Sequence, residues 1–347
     1  MADLRRIAFL LERALEPTYR VRAFRTAAAR VEATSRDELL DRALAETLRK
    51  LPGIGEVTAR CITESLADVV PEYLRRLEAT VSPLADTGAE LRAALRGDCH
   101  THSDWSDGGS PIREMAETAR DLGHEYLVLT DLSPRLTVAH GLTAARLERQ
   151  LDEVAALNDD YATQAASGAA APFRILTGIE VDILDTGKLD QRADLLARLD
   201  LVVASVHSGL RMPSDEMTPR MVAAIANPHT DVLGHCTGRL IKGGRGTRPE
   251  SQFDAEIVFA ACERFGVAVE VNSRPERLDP PKRLLRLAVE AGCLVSIDTD
   301  AHAPGQLDWQ PYGCERATQC EVPVETIVNT WTADQLLAWT ADHSVRP

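Results

Sequence analysis

Asp98, His100 and His102 stand at alternate positions in Gly97-Asp98-Cys99-His100-Thr101-His102, so in a β-strand all three side chains leave one face. Two imidazoles and a carboxylate together suit a borderline metal ion. Residues of the same types recur along the chain, each where a short apolar run gives way to polar residues. Asp131 follows Leu127-Val128-Leu129-Thr130, Glu180 follows Gly178-Ile179, His207 follows Ser205-Val206, His235 follows Leu233-Gly234, and Asp300 and His302 follow Ile297-Asp298-Thr299. Any one of them alone reads as an ordinary structural hydrogen-bonding residue. Their recurrence at the same end of successive runs predicts a common site. Roughly six to eight nitrogen and oxygen ligands exceed what one tetrahedral ion uses, so more than one divalent ion is expected, with a carboxylate such as Glu180 bridging.

Such ligands need a scaffold that gathers strand ends. From Gly97 onward the chain reads β then α, repeated: residues 126–131, 173–182, 201–207, 232–235, 267–272 and 294–300 are short apolar runs with helical patterns between them. That alternation predicts a parallel α/β barrel with its chemistry at the C-terminal ends of the strands. Residues 150–172 read as helix followed by a surface loop. Asp98, on the face of the two histidines, is expected to orient an imidazole rather than to ligate. His124, His229 and His343 match no motif and read as structural.

The first 80 residues differ. Leu4, Ile7, Ala8, Leu11 and Leu15 keep a helical period, Pro17 breaks it, a second helix runs from Tyr19 through Arg30, and a third spans about 35–50, with Ser35 and Glu38 as a capping box. Leu51-Pro52-Gly53-Ile54-Gly55 then makes a tight turn into another helix. Its amides are expected to hold a phosphate at the helix entry, which makes Gly53, Ile54 and Gly55 a candidate phosphate-binding turn. Residues 1–80 are expected to form a helical domain, 81–96 a linker, and 97–347 the barrel.

Composition bounds the rest. A net charge of −14 argues against a chain that simply coats nucleic acid. Residues 1–80 carry 14 Lys and Arg against 13 Asp and Glu, so the acidic excess lies in the larger part, where ligand carboxylates would add to it and bound metal would offset it. The seven cysteines are scattered with no C-x-x-C pair, which predicts reduced, buried thiols and no zinc ribbon. Nothing reads as a membrane-length apolar span or a cleavable signal, so a cytoplasmic protein is expected.

The turn at 51–55, with Ala59 and Ile62 at packing positions, resembles the helix-hairpin-helix motif of DNA-binding proteins. With Tyr19-Arg20-Val21-Arg22-Ala23-Phe24-Arg25, residues 1–80 resemble the DNA-end-binding domain of bacterial family-X DNA polymerases. No polymerase palm or catalytic aspartate pair follows, so polymerase activity is not expected. His100-x-His102 with Ser106-Asp107-Gly108, Thr130-Asp131, Gly178-Ile179-Glu180, Ser205-Val206-His207, Gly234-His235 with Thr237-Gly238-Arg239, and Thr299-Asp300-Ala301-His302 are similar, motif by motif, to the PHP (polymerase and histidinol phosphatase) phosphoesterases. The likeness is strongest to the PHP domain of bacterial family-X polymerases, through Asn272, Arg277-Leu278-Asp279 and the closing Asn329-Thr330-Trp331 segment.

That resemblance implies an α/β fold, a distorted (β/α)7 TIM-like barrel with two or three divalent ions, of Zn²⁺, Mn²⁺ or Fe²⁺ type. Carried over, His100, His102, Glu180 and Asp300 hold a first ion, and Glu180, His207 and His235 a second. Asp107, His302 and a histidine after the Thr-Asp pair hold a third, but here that last position is Leu132. Asp131, His140 or water are the candidates to complete it. Glu180, Asp300, His302 and Arg239 are expected to carry catalysis, with His302 or a water serving the leaving alkoxide. Arg239 is the favoured phosphate clamp over Lys242, Arg245 and Arg248 of the glycine-rich loop. The implied function is metal-dependent phosphoester hydrolysis at DNA ends, as a 3′–5′ exonuclease or 3′-end phosphatase or phosphodiesterase in repair, with DNA as partner. A small-molecule phosphatase of the histidinol-phosphatase type and a non-catalytic DNA-binding protein with a degenerate PHP domain are the alternatives.

Overall fold

The computed structural model describes residues 1–244 and 246–343; Arg245 of the glycine-rich loop and the side chain of His343, expected to be structural, lie outside the described residues. The chain divides into two compact units, Met1–Pro83 and Leu84–Pro347.

The first unit is helical: α1 (Ala2–Arg13), α2 (Thr18–Glu32), α3 (Arg36–Leu44), α4 (Glu56–Leu66) and α5 (Glu72–Glu78). Pro17 cannot continue α1 and instead precedes α2, and the Ser35 hydroxyl caps α3 by accepting from the Glu38 amide at 3.3 Å. Leu4, Leu11, Phe24, Leu39, Ile54 and Ile62 share one core. Arg25 donates to both oxygens of the buried Glu12 carboxylate, at 2.9 and 2.7 Å, and so clamps α2 to α1.

In the turn ahead of α4, the two glycines have different reasons to be there. Gly53 has φ +85°, and a Cβ on it would lie 2.4 Å from Thr26 Cγ2, so both backbone and space demand glycine. Gly55 has φ −92° and open space around it. Its amide donates to Thr58 Oγ1 at 2.9 Å, closing the entry to α4. The Ile54 side chain is buried in the core, so this turn offers a ligand backbone rather than the isoleucine.

The second unit begins with α6 (Ala89–Ala94) and then alternates: β1 (Gly97–Thr101), α7 (Ile112–Asp121), β2 (Tyr126–Leu129), α8 (Ala144–Ala166), β3 (Arg174–Asp182), α9 (Ala193–Leu196), β4 (Leu201–Ser205), α10 (Ser214–Ile225), β5 (Val232–Leu233), α11 (Ala255–Phe265), β6 (Ala268–Asn272), α12 (Lys282–Glu290), β7 (Val295–Asp298), α13 (Gln310–Gln319) and α14 (Ala333–His343). The seven strands form one parallel sheet in sequence order, as the alternation predicts. Edges β1 and β7 are joined by a Thr101–Ala301 bridge, by the His102 amide bonded to Ala301 O at 2.8 Å, and by the Cys99 amide donating to Asp298 Oδ1 at 2.8 Å. The result is a nearly closed seven-stranded barrel with helices around it. Strands such as β2 and β4 are buried along their whole length, which is why they read as continuous apolar runs.

Candidate metal centre

All eight expected ligands gather toward the C-terminal ends of the strands, in three groups, the ligand atoms of each lying within 4.8 Å of one another: His100, His102 and Asp300; Glu180, His207 and His235; and His102, Asp107 and His302, which shares His102 with the first. Glu180, near the end of β3, is the centre. Its Oε2 lies 3.2 Å from His100 Nε2 and 3.5 Å from His102 Nε2, while its Oε1 lies 3.2 Å from His207 Nε2 and 2.9 Å from His235 Nε2. Each carboxylate oxygen therefore faces its own pair of imidazoles. Asp300 Oδ1 adds a further oxygen, 3.5 Å from His102 Nε2.

The donor set fits divalent cations. His100 Nε2 and His102 Nε2 are buried with no hydrogen-bond partner among the described residues, although both point at carboxylate oxygens. Buried polar atoms are rarely left so, and a cation between nitrogen and oxygen resolves them. The carboxylates hold the charge that ligation requires. Burial pushes Glu180 up, but the imidazoles of His100 and His207 hold it well below the usual carboxylate range. Asp300, also raised by burial, is held well below it by His102, Arg274 and Arg277. Burial, and then Arg277, pushes His235 down to about 3, leaving it a neutral imidazole.

Behind the ligands stand residues whose roles the motifs do not reveal. Glu270, inside β6, places Oε1 2.6 Å from His100 Nδ1, and its Oε2 accepts from the His235 amide and, at 3.3 Å, from Asn272 Nδ2. One buried carboxylate thus orients ligands from β1 and from the end of β5. Asp182, at the end of β3, lies 3.4 Å from His207 Nδ1 and accepts from the His207 amide at 3.0 Å. Asp98, expected to orient an imidazole, does not. It accepts from the His100 amide at 3.2 Å and from the Thr299 hydroxyl at 2.5 Å, tying β1 to the end of β7.

Arg239 is not brought to the cluster. Its Nε donates to Arg277 O at 3.1 Å, its Nη2 to Leu278 O, and its Nη1 lies 3.6 Å from Glu250. It braces a turn in which the Asn272 amide donates to Asp279 O at 2.8 Å, and that turn delivers two other arginines. Arg277 Nε lies 3.2 Å from Asp300 Oδ2, and its Nε and Nη1 are buried without a hydrogen-bond partner among the described residues. Arg274 Nη1 lies 3.2 Å from the Asp300 carbonyl and 3.2 Å from His302 Nδ1.

The third group is short of a ligand. His302 Nε2 lies 3.4 Å from Asp107 Oδ1, but the residue after the Thr-Asp pair is Leu132, buried and apolar. Asp131 cannot substitute, since it already accepts from the Ser103 amide at 2.9 Å, the Ser103 hydroxyl at 2.6 Å, the Ser106 hydroxyl at 2.5 Å and Gln150 Nε2 at 2.6 Å. His140 is exposed and belongs to no group. His124 is structural as expected, buried with Nε2 2.9 Å from Gln310 Oε1. His229, partly buried at a turn, joins no group either. All seven cysteines are buried and unpaired. No helix among the described residues is long and apolar enough to cross a membrane.

Residues 1–69 match the helix-hairpin-helix domain model and residues 98–274 the PHP domain model. The chain is 39% identical over 262 residues to the DNA polymerase/3′-5′ exonuclease PolX of Bacillus subtilis (strain 168), a match that covers 75% of this chain and 44% of that protein, so less than half of that relative's length is represented. A probable phosphatase of Thermoanaerobacter sp. (strain X514) is 28% identical over 217 residues, 59% of this chain and 78% of its own length. Among solved structures, the putative histidinol phosphatase of Listeria monocytogenes aligns with TM-score 0.46 and 16% identity over 61% of this chain and 97% of that one.

Proposed function

Since the chain belongs to the PHP family, we propose that it is a metal-dependent phosphoesterase of DNA ends, a 3′–5′ exonuclease or 3′-end phosphatase or phosphodiesterase serving repair in the cytoplasm. The observation that carries the metal-dependent reading is Glu180, with one oxygen toward His100 and His102 and the other toward His207 and His235. Two ions are the proposed complement, the first held by His100, His102, Glu180 and Asp300 and the second by Glu180, His207 and His235. When bound, such ions supply a water of lowered pKa and neutralise charge on phosphate oxygens. Arg277 and Arg274, beside Asp300, hold and orient the phosphate by charge-assisted hydrogen bonds. His302 Nε2, next to Asp107, or a water is the proposed proton donor to the leaving oxygen. Arg239 acts through the carbonyls of Arg277 and Leu278, keeping the turn in place.

The DNA-end assignment draws support from the helix-hairpin-helix match and from the name of the Bacillus relative. In the first unit the Ile54 and Gly55 amides of the turn already donate to Leu51 O at 3.2 Å and Thr58 Oγ1 at 2.9 Å, so the phosphate would be held by the amide of the exposed Gly53 and by the first amides of α4. The probable phosphatases favour a second reading, hydrolysis of a small phosphomonoester. A degenerate, non-catalytic site is disfavoured by the convergence of all eight ligand-type residues. The deciding experiment is turnover of 3′-phosphate-ended DNA, primed DNA, histidinol phosphate and p-nitrophenyl phosphate with Mn²⁺. Preferred hydrolysis of a DNA end is expected; preference for histidinol phosphate would select the second reading.

A further inference from the structure

Beside the loop that follows His235, a cavity of 680 Å³ is lined by Arg239, Arg248, Arg283 and Glu250, together with Ser214 and Ala255, the first residues of α10 and α11. Three arginines and one carboxylate are among the lining residues. Arg283 pairs with Glu250 and Arg239 Nη1 lies 3.6 Å from it. Arg248 is folded back beside Arg239 because Leu240 and Arg248 exchange backbone hydrogen bonds of 2.9 Å each, and its Nε donates to Gly238 O at 2.6 Å. By formal charge the described lining is therefore net positive. α12, whose second residue is Arg283, starts after Pro281 with no capping side chain and no acid in its first turn, so its N-terminal dipole adds to the same sign.

This cavity lies on the face of the barrel that carries the metal ligands, since helices following parallel strands begin at the strands' C-terminal ends. Arg239 is only four residues beyond His235, which limits their backbone separation to about 14 Å. We propose that the cavity holds a second phosphate of a nucleic-acid strand whose terminal phosphoester sits at Glu180. The substrate is then a strand of several nucleotides, not a small phosphomonoester. Arginine forks match phosphodiester oxygens, and a strand supplies one such charge per nucleotide. This inference rests on the phosphoesterase reading and deepens it by naming what selects the substrate.

The test measures kcat/KM of the full-length protein with Mn²⁺ on p-nitrophenyl phosphate and on thymidylate oligomers of increasing length, up to six nucleotides. In the native protein kcat/KM should rise with length by about tenfold or more, the size of one charge-assisted hydrogen bond. Arg283→Ala should lower the ratio of hexamer to p-nitrophenyl phosphate activity, and Glu250→Gln should raise it. Because the two variants act in opposite directions, loss of folding cannot imitate both, and the first unit is the same in each. A native protein that cleaves p-nitrophenyl phosphate but gains nothing with length overturns this inference alone, as does an unchanged ratio in both variants. No hydrolysis of any substrate overturns the phosphoesterase reading and this inference with it.

Discussion

Replacing Glu270 with Gln removes a charge while keeping the shape, and the geometry sets the cost. In the native protein one Glu270 oxygen faces His100 Nδ1 at 2.6 Å and the other accepts from the His235 amide and Asn272. A glutamine has a single amide oxygen. If that oxygen serves His100, the amide NH₂ faces the His235 N–H; if it serves His235, the NH₂ faces the donor on His100. Either way one buried donor is left without an acceptor, at about 1–3 kcal/mol. That range corresponds to a loss of about 10–100-fold in metal affinity, the usual effect of deleting a group that orients a ligand histidine. Competition of the apoprotein against a chromogenic chelator for Zn²⁺ or Mn²⁺ measures it directly, with the melting temperature of the apoprotein as the control for folding. An affinity equal to that of the native protein would refute the assignment of Glu270 as the residue that fixes His100 and His235.

Gly53→Val should destabilise the first unit by about 1–3 kcal/mol, because a φ of +85° and a Cβ 2.4 Å from Thr26 both penalise a side chain. It should also weaken DNA binding by fluorescence anisotropy, while Gly55→Val, at φ −92° in open space, should do much less; equal losses would contradict the geometry. Leu132→His should raise the number of bound ions by one in elemental analysis, and an unchanged count would remove Asp107 and His302 as a latent third site. Burial, and then Arg92, pushes His124 down to about 3, against about 6.5 in an unfolded chain. Its neutral form therefore stabilises the fold fully above pH ~6.5, and that contribution is lost as pH falls toward 3. Apoprotein urea unfolding at pH 7 and pH 5 should show about 2 kcal/mol more loss in the native protein than in His124→Asn; identical losses would contradict a buried neutral imidazole.

Most strands were legible because they are buried on both faces and so read as apolar runs, and the ligands were legible because a metal-capable residue ends or follows the runs of β2, β3, β4, β5 and β7. Glu270 was not: within Val267-Ala268-Val269-Glu270-Val271 it reads as a polar interruption. It acquires a role only when barrel curvature brings β1 and the end of β5 to either side of its carboxylate. The arginines were misread for a similar reason. Arg239 is four residues from His235 in sequence, but the reversal between Asn272 and Asp279 engages its guanidinium and turns Arg274 and Arg277 toward Asp300. Asp98 shares a strand face with the histidines, yet the bridge between β1 and β7 brings Thr299 to its carboxylate instead of an imidazole. The requirement for glycine at Gly53 could be read from the motif, whereas its difference from Gly55 depends on where Thr26 of α2 falls.

The central claim is that Glu180 bridges two ions. The most direct measurement is elemental analysis of the native protein and of Glu180→Ala after the same metal loading and desalting, with p-nitrophenyl phosphate turnover measured on both. Two ions per native chain are expected, with fewer than one in the variant and no turnover, since both groups lose a shared oxygen. A variant that retains two ions and its activity, or a native chain that binds fewer than one, would contradict the account.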